Sequence, residues 1–164
     1  MAFTKLAFYL ACIMTTLAMA GIARAQNSPD DFVNAHNSAR SNVGVGPVTW
    51  DNVVAAYAVN YALQRSSDCA LISSNSATYG ENLAAGSGAD YTAEDAVALW
   101  VSENQYYDYN TNSCAYGKFC GYYTQVVWKN TTRIGCARLI CNNGVIFMNC
   151  NYFPAGNVIG ERPY

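Results

Sequence analysis

Six of the seven cysteines in this chain of 164 residues, Cys69, Cys114, Cys120, Cys136, Cys141 and Cys150, lie beyond its first third. What they can do depends on where the chain goes, and the opening MAFTKLAFYLACIMTTLAMAGIARA answers that. Lys5 precedes an apolar run from Leu6 to Ile22, and the small-x-small triplet Ala23-Arg24-Ala25 follows. Residues 1–25 are the pattern of a secretory signal peptide, cut before Gln26. The apolar run is near the lower limit for crossing a bilayer, so a retained anchor is the alternative, but no stop-transfer pattern follows it. Cys12 leaves with the leader, and the even number left in an exported chain predicts three disulfides. Zinc-binding cysteines are the rival; against them stand the absence of a CxxC pair and a single histidine, His36. Six cysteines allow fifteen pairings, of which Cys114 with Cys120, across a short Gly-containing loop, is the easiest local one. Each bridge contributes about 2–4 kcal/mol.

The remaining residues, 26–164, suit one domain with one core, and no repeat, linker or low-complexity tract divides them. Nine basic residues become seven once Lys5 and Arg24 are removed, against eleven acidic ones, a net charge near −4. That charge gives no electrostatic footprint for nucleic acid and no attraction to anionic membranes. No later segment approaches a spanning length, and a soluble monomer is expected.

Local signals then divide the chain. In SPDDFVNAHNSARSNVG, Ser28 is the N-cap, Pro29 the first helical residue and Asp31 the partner in a capping box, with Gly44 beyond the far end. Phe32, Ala35 and Ala39 form the apolar stripe of this first helix, and His36 lies beside it. A second helix starts at Asp51 and runs to about Ser66. Residues 72–91 read as loop, with YGENLA the one specific stretch inside it. A third helix spans about 93–105 behind Thr92 as N-cap, and Glu103 sits at the edge of the face shared by Val97, Trp100 and Val101. The Tyr-, Asn- and Gly-rich stretch 106–121 reads as a long loop. Three strands are predicted from residues 122, 134 and 144, with Asn142-Asn143-Gly144 as a hairpin turn. Helices first and an antiparallel meander afterwards predict an α+β layered domain.

HNSAR (36–40), YGENLA (79–84), CGYYTQVVW (120–128), GCARLIC (135–141) and FMNCNYFPAGN (147–157) together resemble the CAP superfamily of cysteine-rich secretory proteins, antigen 5 and pathogenesis-related proteins. The ends, QNSPDDFVNAHN and RPY, resemble its plant group-1 pathogenesis-related branch. The resemblance covers residues 26–164. It implies a three-layer α-β-α sandwich with an antiparallel sheet, and bridges Cys69–Cys141, Cys114–Cys120 and Cys136–Cys150. It also implies a central cavity, lined in that family by two histidines and two glutamates that in some members hold a divalent metal.

Carried over by position, His36, Glu81 and Glu103 are present and Tyr122 stands where the second histidine would be. A neutral imidazole ligates zinc well, whereas a phenol must first lose a proton with a pKa of about 10. No metal and no cofactor are therefore expected. Tyr122 is expected instead to donate its hydroxyl to Glu81 or Glu103 while His36 pairs with the other carboxylate. A His/Glu pair could act as acid and base, but no nucleophile accompanies it. Ser38 gains no base from its helical neighbours, and the cysteines are committed. The chain is read as a non-enzymatic binding module, with a metal-dependent hydrolase the minor alternative.

Tyr106, Tyr107, Tyr109, Tyr116 and Phe119 crowd the 106–121 loop. They either cover loop amides or grip a flat apolar ligand, and the resemblance, which includes sterol and lipid binders, implies the second. The expected partner is a sterol or lipid of a fungal or oomycete pathogen, met outside the cell in the apoplast. Asn130-Thr131-Thr132 is a glycosylation sequon between two predicted strands. The last eleven residues, Pro154 to Tyr164, resemble a tail that plant relatives release as a signalling peptide, although Phe153 stands where relatives often have Asp before the cut.

Overall fold

The computed structural model describes residues 27–88 and 91–164, so the leader expected at 1–25 lies outside the described residues. Helix α1 (Pro29–Ser41) starts where its caps demand. The Asp31 amide donates to Ser28 Oγ at 3.3 Å, and Asp31 Oδ2 accepts the Ser28 amide at 2.9 Å, which satisfies two otherwise orphaned donors. Helix α2 (Asn52–Gln64) follows the two-residue strand β1 (Thr49–Trp50), and its N-cap Asp51 accepts the amides of Val53 and Val54. Helix α3 (Ala93–Val101) carries the Thr92/Asp95 capping box and tightens into a 3-10 turn, Ser102–Tyr106, so the last residues of the expected third helix leave α geometry.

Two expectations fail here. YGENLA is not loop: Gly80–Gly86 is strand β2, paired antiparallel along its length with the last strand. Glycine, asparagine and alanine are weak strand formers, and tertiary pairing overrides that local preference. YYTQVVW is not a strand: after a small hairpin, β3 (Tyr107–Asp108) and β4 (Ser113–Cys114), residues Gly121–Val126 form helix α4. Tyr123, Val126 and Val127 are buried at helical spacing. A carboxylate outside the helix supplies its N-terminal cap, as described below.

Strands β5 (Arg133–Ile140) and β6 (Ile146–Phe153) form the expected hairpin, closed by the Cys141 amide donating to the Val145 carbonyl at 2.8 Å, with Gly144 at φ 81°. The sheet order is β1–β5–β6–β2. It is mixed rather than wholly antiparallel, because β1 lies parallel to β5. Strand β6 is buried on both faces. Met148, Cys150 and Tyr152 pack with Phe32 of α1, Trp100 of α3 and Val126 of α4, whereas Phe147 packs with Ala58, Tyr61 and Ala62 of α2. The result is a three-layer α-β-α sandwich. Gly135 lets α2 lie flat on β5, since a Cβ there would stand 2.0 Å from the Ala55 backbone nitrogen.

Three disulfides pin the layers. Cys69–Cys141 joins the segment that follows α2 to the residue just past β5. Cys114–Cys120 closes the loop ahead of α4, and Cys136–Cys150 links residues directly opposite each other on β5 and β6.

Candidate functional site

The four residues expected to share one cavity are drawn into separate bonds. His36 is fully buried on α1. Its Nδ1 lies 2.7 Å from the Phe32 carbonyl and its Nε2 lies 2.9 Å from the Tyr152 hydroxyl. A carbonyl can only accept, so Nδ1 carries the proton and Nε2 accepts from tyrosine. Burial, with the nearby Arg40 charge adding to it, lowers the imidazole pKa to about 4. Burial also pushes the Tyr152 hydroxyl well above its ordinary range, which keeps it a donor.

Glu81, on β2, accepts the Ser74 amide at 2.8 Å and the Ser73 hydroxyl at 3.0 Å on one oxygen, and the Asn151 side-chain amide at 3.4 Å on the other. It fastens the loop before its own strand. Glu103, on the 3-10 turn, accepts the backbone amides of Tyr122 and Tyr123 at 3.0 and 3.1 Å. These are the exposed donors of the first turn of α4, so the carboxylate caps a helix from outside it. Burial raises the Glu103 pKa against the opposing effect of those two amides. The expected bonds from the Tyr122 hydroxyl to a carboxylate, and from His36 to the other, do not form; helix amides and loop donors hold the carboxylates instead. The Tyr122 ring stands edge-on to Phe119 at 5.1 Å and tilted to Trp100 at 6.5 Å, half-buried, and burial raises its pKa.

A residue that the sequence did not single out does more of the holding. Arg40 is buried at the end of α1 and spends four donors on carbonyls: Nε on Gly46 at 2.7 Å, Nη1 on Val126 and Trp128 at 2.9 Å each, and Nη2 on Thr131 at 2.9 Å. Burial lowers its pKa to about 10, which leaves it charged at neutral pH. It ties α1 to the segment leaving α4.

Beside that segment lies a cleft of about 460 Å³, walled by the disulfide-pinned loop on one side and the C-terminal tail on the other. Tyr107, Phe119 and Trp128 supply its aromatic surface, and Asn157, Val158 and Pro163 supply the facing wall. Phe119 is 61% exposed, its ring lying over Gly121. Of the five loop aromatics, only Tyr107 and Phe119 line the cleft. Tyr106 meets Lys118 through its ring face, and Tyr116 projects into solvent. Tyr109 stacks on Tyr164, with ring centroids 4.7 Å apart, and donates to the Tyr164 carbonyl at 2.6 Å.

The sequence model of the CAP family, described as the cysteine-rich secretory protein family, matches residues 33–152. This chain belongs to the CAP family. Its relatives include the PR-1 type pathogenesis-related protein of Sambucus nigra, 57% identical over 94% of this chain and 92% of that one. Pathogenesis-related protein 1B of Nicotiana tabacum is 54% identical over 96% and 93%. Among solved structures, NaASP2 with Zn2+ aligns with a TM-score of 0.70 at 26% identity, covering 88% of this chain and 90% of that one.

In this CAP protein the residues carried over from the family's ligand set do not fit a metal ion. Both nitrogens of His36 are bonded within the protein, Glu103 is committed to two helix amides, and Tyr122 offers a phenol whose pKa burial raises further. Among the described residues, no group of three or more His, Cys, Asp or Glu is placed to hold a metal. A second groove, of about 400 Å³, runs between α1 and α3 of the CAP fold over Ala35, Ala39, Val97, Ala98 and Val101.

The tail of this CAP protein carries no helix or strand past Phe153 but is ordered by its contacts. The Lys129 amide donates to the Pro163 carbonyl, Asn112 to the Glu161 carbonyl, Asn157 to the Gly121 carbonyl, and Arg162 to the carbonyls of Tyr109 and Asn110. The tail is thus a structural wall of the cleft.

Proposed function

We propose that this CAP protein is a secreted plant defence protein that binds a sterol or related neutral lipid of a fungal or oomycete pathogen, without catalysing a reaction. The family and its plant pathogenesis-related relatives support the defence role. Three disulfides suit an oxidising extracellular setting. The observation that carries the binding reading is the cleft: Phe119, next to the Cys114–Cys120 bridge, is exposed in it, and Val158 extends the apolar surface within a volume ordinary for a small-molecule site. The acidic balance of the chain suits a neutral ligand.

Titration with radiolabelled ergosterol or cholesterol tests this. Phe119→Ala removes an exposed ring and is expected to weaken binding about tenfold, the loss of one good aromatic contact, with unfolding unchanged. Equal binding by wild type and variant removes the cleft as the site; binding by neither removes the sterol. Release of the tail as a signalling peptide is the alternative reading. The folded chain resists it, because the Phe153 carbonyl accepts the Thr132 amide at 3.1 Å and the Pro154 carbonyl accepts the Thr131 hydroxyl at 2.8 Å, one on each side of the bond to be cut. Extracellular protein is expected to run intact to Tyr164 by mass spectrometry, and a predominant chain ending at Phe153 would favour the peptide.

A further inference from the structure

The turn between α4 and β5 contains the one Asn-x-Ser/Thr triplet of the sequence, Asn130-Thr131-Thr132. Backbone and side-chain hydrogen bonds tie it to α1, to the end of β6 and to the tail. The Lys129 amide donates to the Pro163 carbonyl at 2.7 Å, Arg40 to the Thr131 carbonyl at 2.9 Å, the Thr131 hydroxyl to the Pro154 carbonyl at 2.8 Å, and the Thr132 amide to the Phe153 carbonyl at 3.1 Å. Thr131 is buried, while Asn130 and Thr132, the two side chains a glycosyltransferase must read, are exposed on either side of it. Asn130 therefore points outward from a rigid turn that grips both ends of the tail.

We propose that Asn130 is N-glycosylated and that the glycan shields the junction between β6 and the tail from proteases. The donor is a lipid-linked oligosaccharide pyrophosphate. The Asn130 Nδ2 forms a bond to the anomeric carbon, the carbon–oxygen bond to pyrophosphate breaks, and an amide proton leaves to base. Transfer occurs on the entering chain before it folds, so the fold must then leave the sugar outside, and an exposed side chain on a turn does so at no cost in buried contacts. Neither Asn130 nor Thr132 lines the cleft, so a ligand there and a glycan at Asn130 do not compete. The glycan root is the residue just before Thr131 and Thr132, whose hydroxyl and amide donate to the carbonyls of Pro154 and Phe153, so the sugar would be anchored next to the residues that hold the junction.

The test expresses the full chain with its own leader in plant cells and weighs the secreted protein. Wild type is expected to exceed its chain mass by one glycan. An amidase that removes N-linked sugars should abolish the excess and leave Asp at position 130. Asn130→Gln and Thr132→Ala should each lose the excess, and Thr132→Ser, which preserves the acceptor triplet, should keep it. Under limited proteolysis, the two glycan-free variants should lose the tail several-fold faster than wild type and Thr132→Ser. Wild-type protein at its bare chain mass would overturn the site, and equal tail loss by all four would overturn the shielding role.

Discussion

Replacing Arg40 with methionine is expected to lower the unfolding free energy by about 4 kcal/mol, a large share of the roughly 5–15 kcal/mol that holds a domain of this size together. Methionine keeps much of the apolar stem, so packing is not the main loss. What disappears is a charge-assisted donor for four carbonyls, those of Gly46, Val126, Trp128 and Thr131, left without this partner. Lysine does not rescue the position, because one ammonium cannot reproduce the planar fork that spans these acceptors. Urea unfolding with the disulfides intact measures the effect through the midpoint. A loss below about 1 kcal/mol would show that the guanidinium is incidental to the fold.

The second large effect is acid sensitivity traceable to His36. In the unfolded chain its imidazole takes up a proton below its ordinary value of 6.5, whereas in the fold it does so only near 4. Between those values the unfolded state binds more protons, so stability falls as pH drops through the window. The full loss is about 3 kcal/mol. Glu103 works the other way, since its raised pKa lets the folded state take up a proton sooner as pH falls. Asp51 and Asp68, both lowered by hydrogen bonds from backbone amides, lose their contribution only below the ordinary aspartate range. Unfolding measured at intervals from pH 7 to pH 4 should show a steep decline in wild type and a shallower one in His36→Gln. Parallel declines would contradict the assignment.

How much of this was legible depended on the distance over which each residue is satisfied. The starts of α1, α2 and α3 could be read because Ser28, Asp51 and Thr92 cap within three residues. Helix α4 could not. Its valines and tyrosines favour a strand, and the carboxylate that caps it comes from Glu103, 19 and 20 residues away from the amides it accepts. Strand β2 was hidden for a similar reason, because its partner β6 lies at the other end of the chain. Arg40 looks like the solvated end of an amphipathic helix, and three of its acceptors belong to residues 86 to 91 positions later.

The candidate site shows the same division. Family resemblance brought His36, Glu81, Glu103 and Tyr122 to notice, but local spacing could not reveal that each is bonded elsewhere. His36 reaches across 116 residues to Tyr152. The aromatic crowding of 106–121 was visible in composition, whereas which rings face the cleft was settled by the tail, which claims Tyr109 and leaves Phe119 exposed.

Photo-cross-linking with a diazirine-bearing sterol, followed by peptide mapping, tests the binding account most directly. Adducts on Phe119, Gly121, Asn157 or Val158, competed away by unlabelled ergosterol, are the predicted result. Adducts confined to Ala35, Ala39, Val97 and Ala98 in the groove between α1 and α3, or no competed adduct at all, would contradict it.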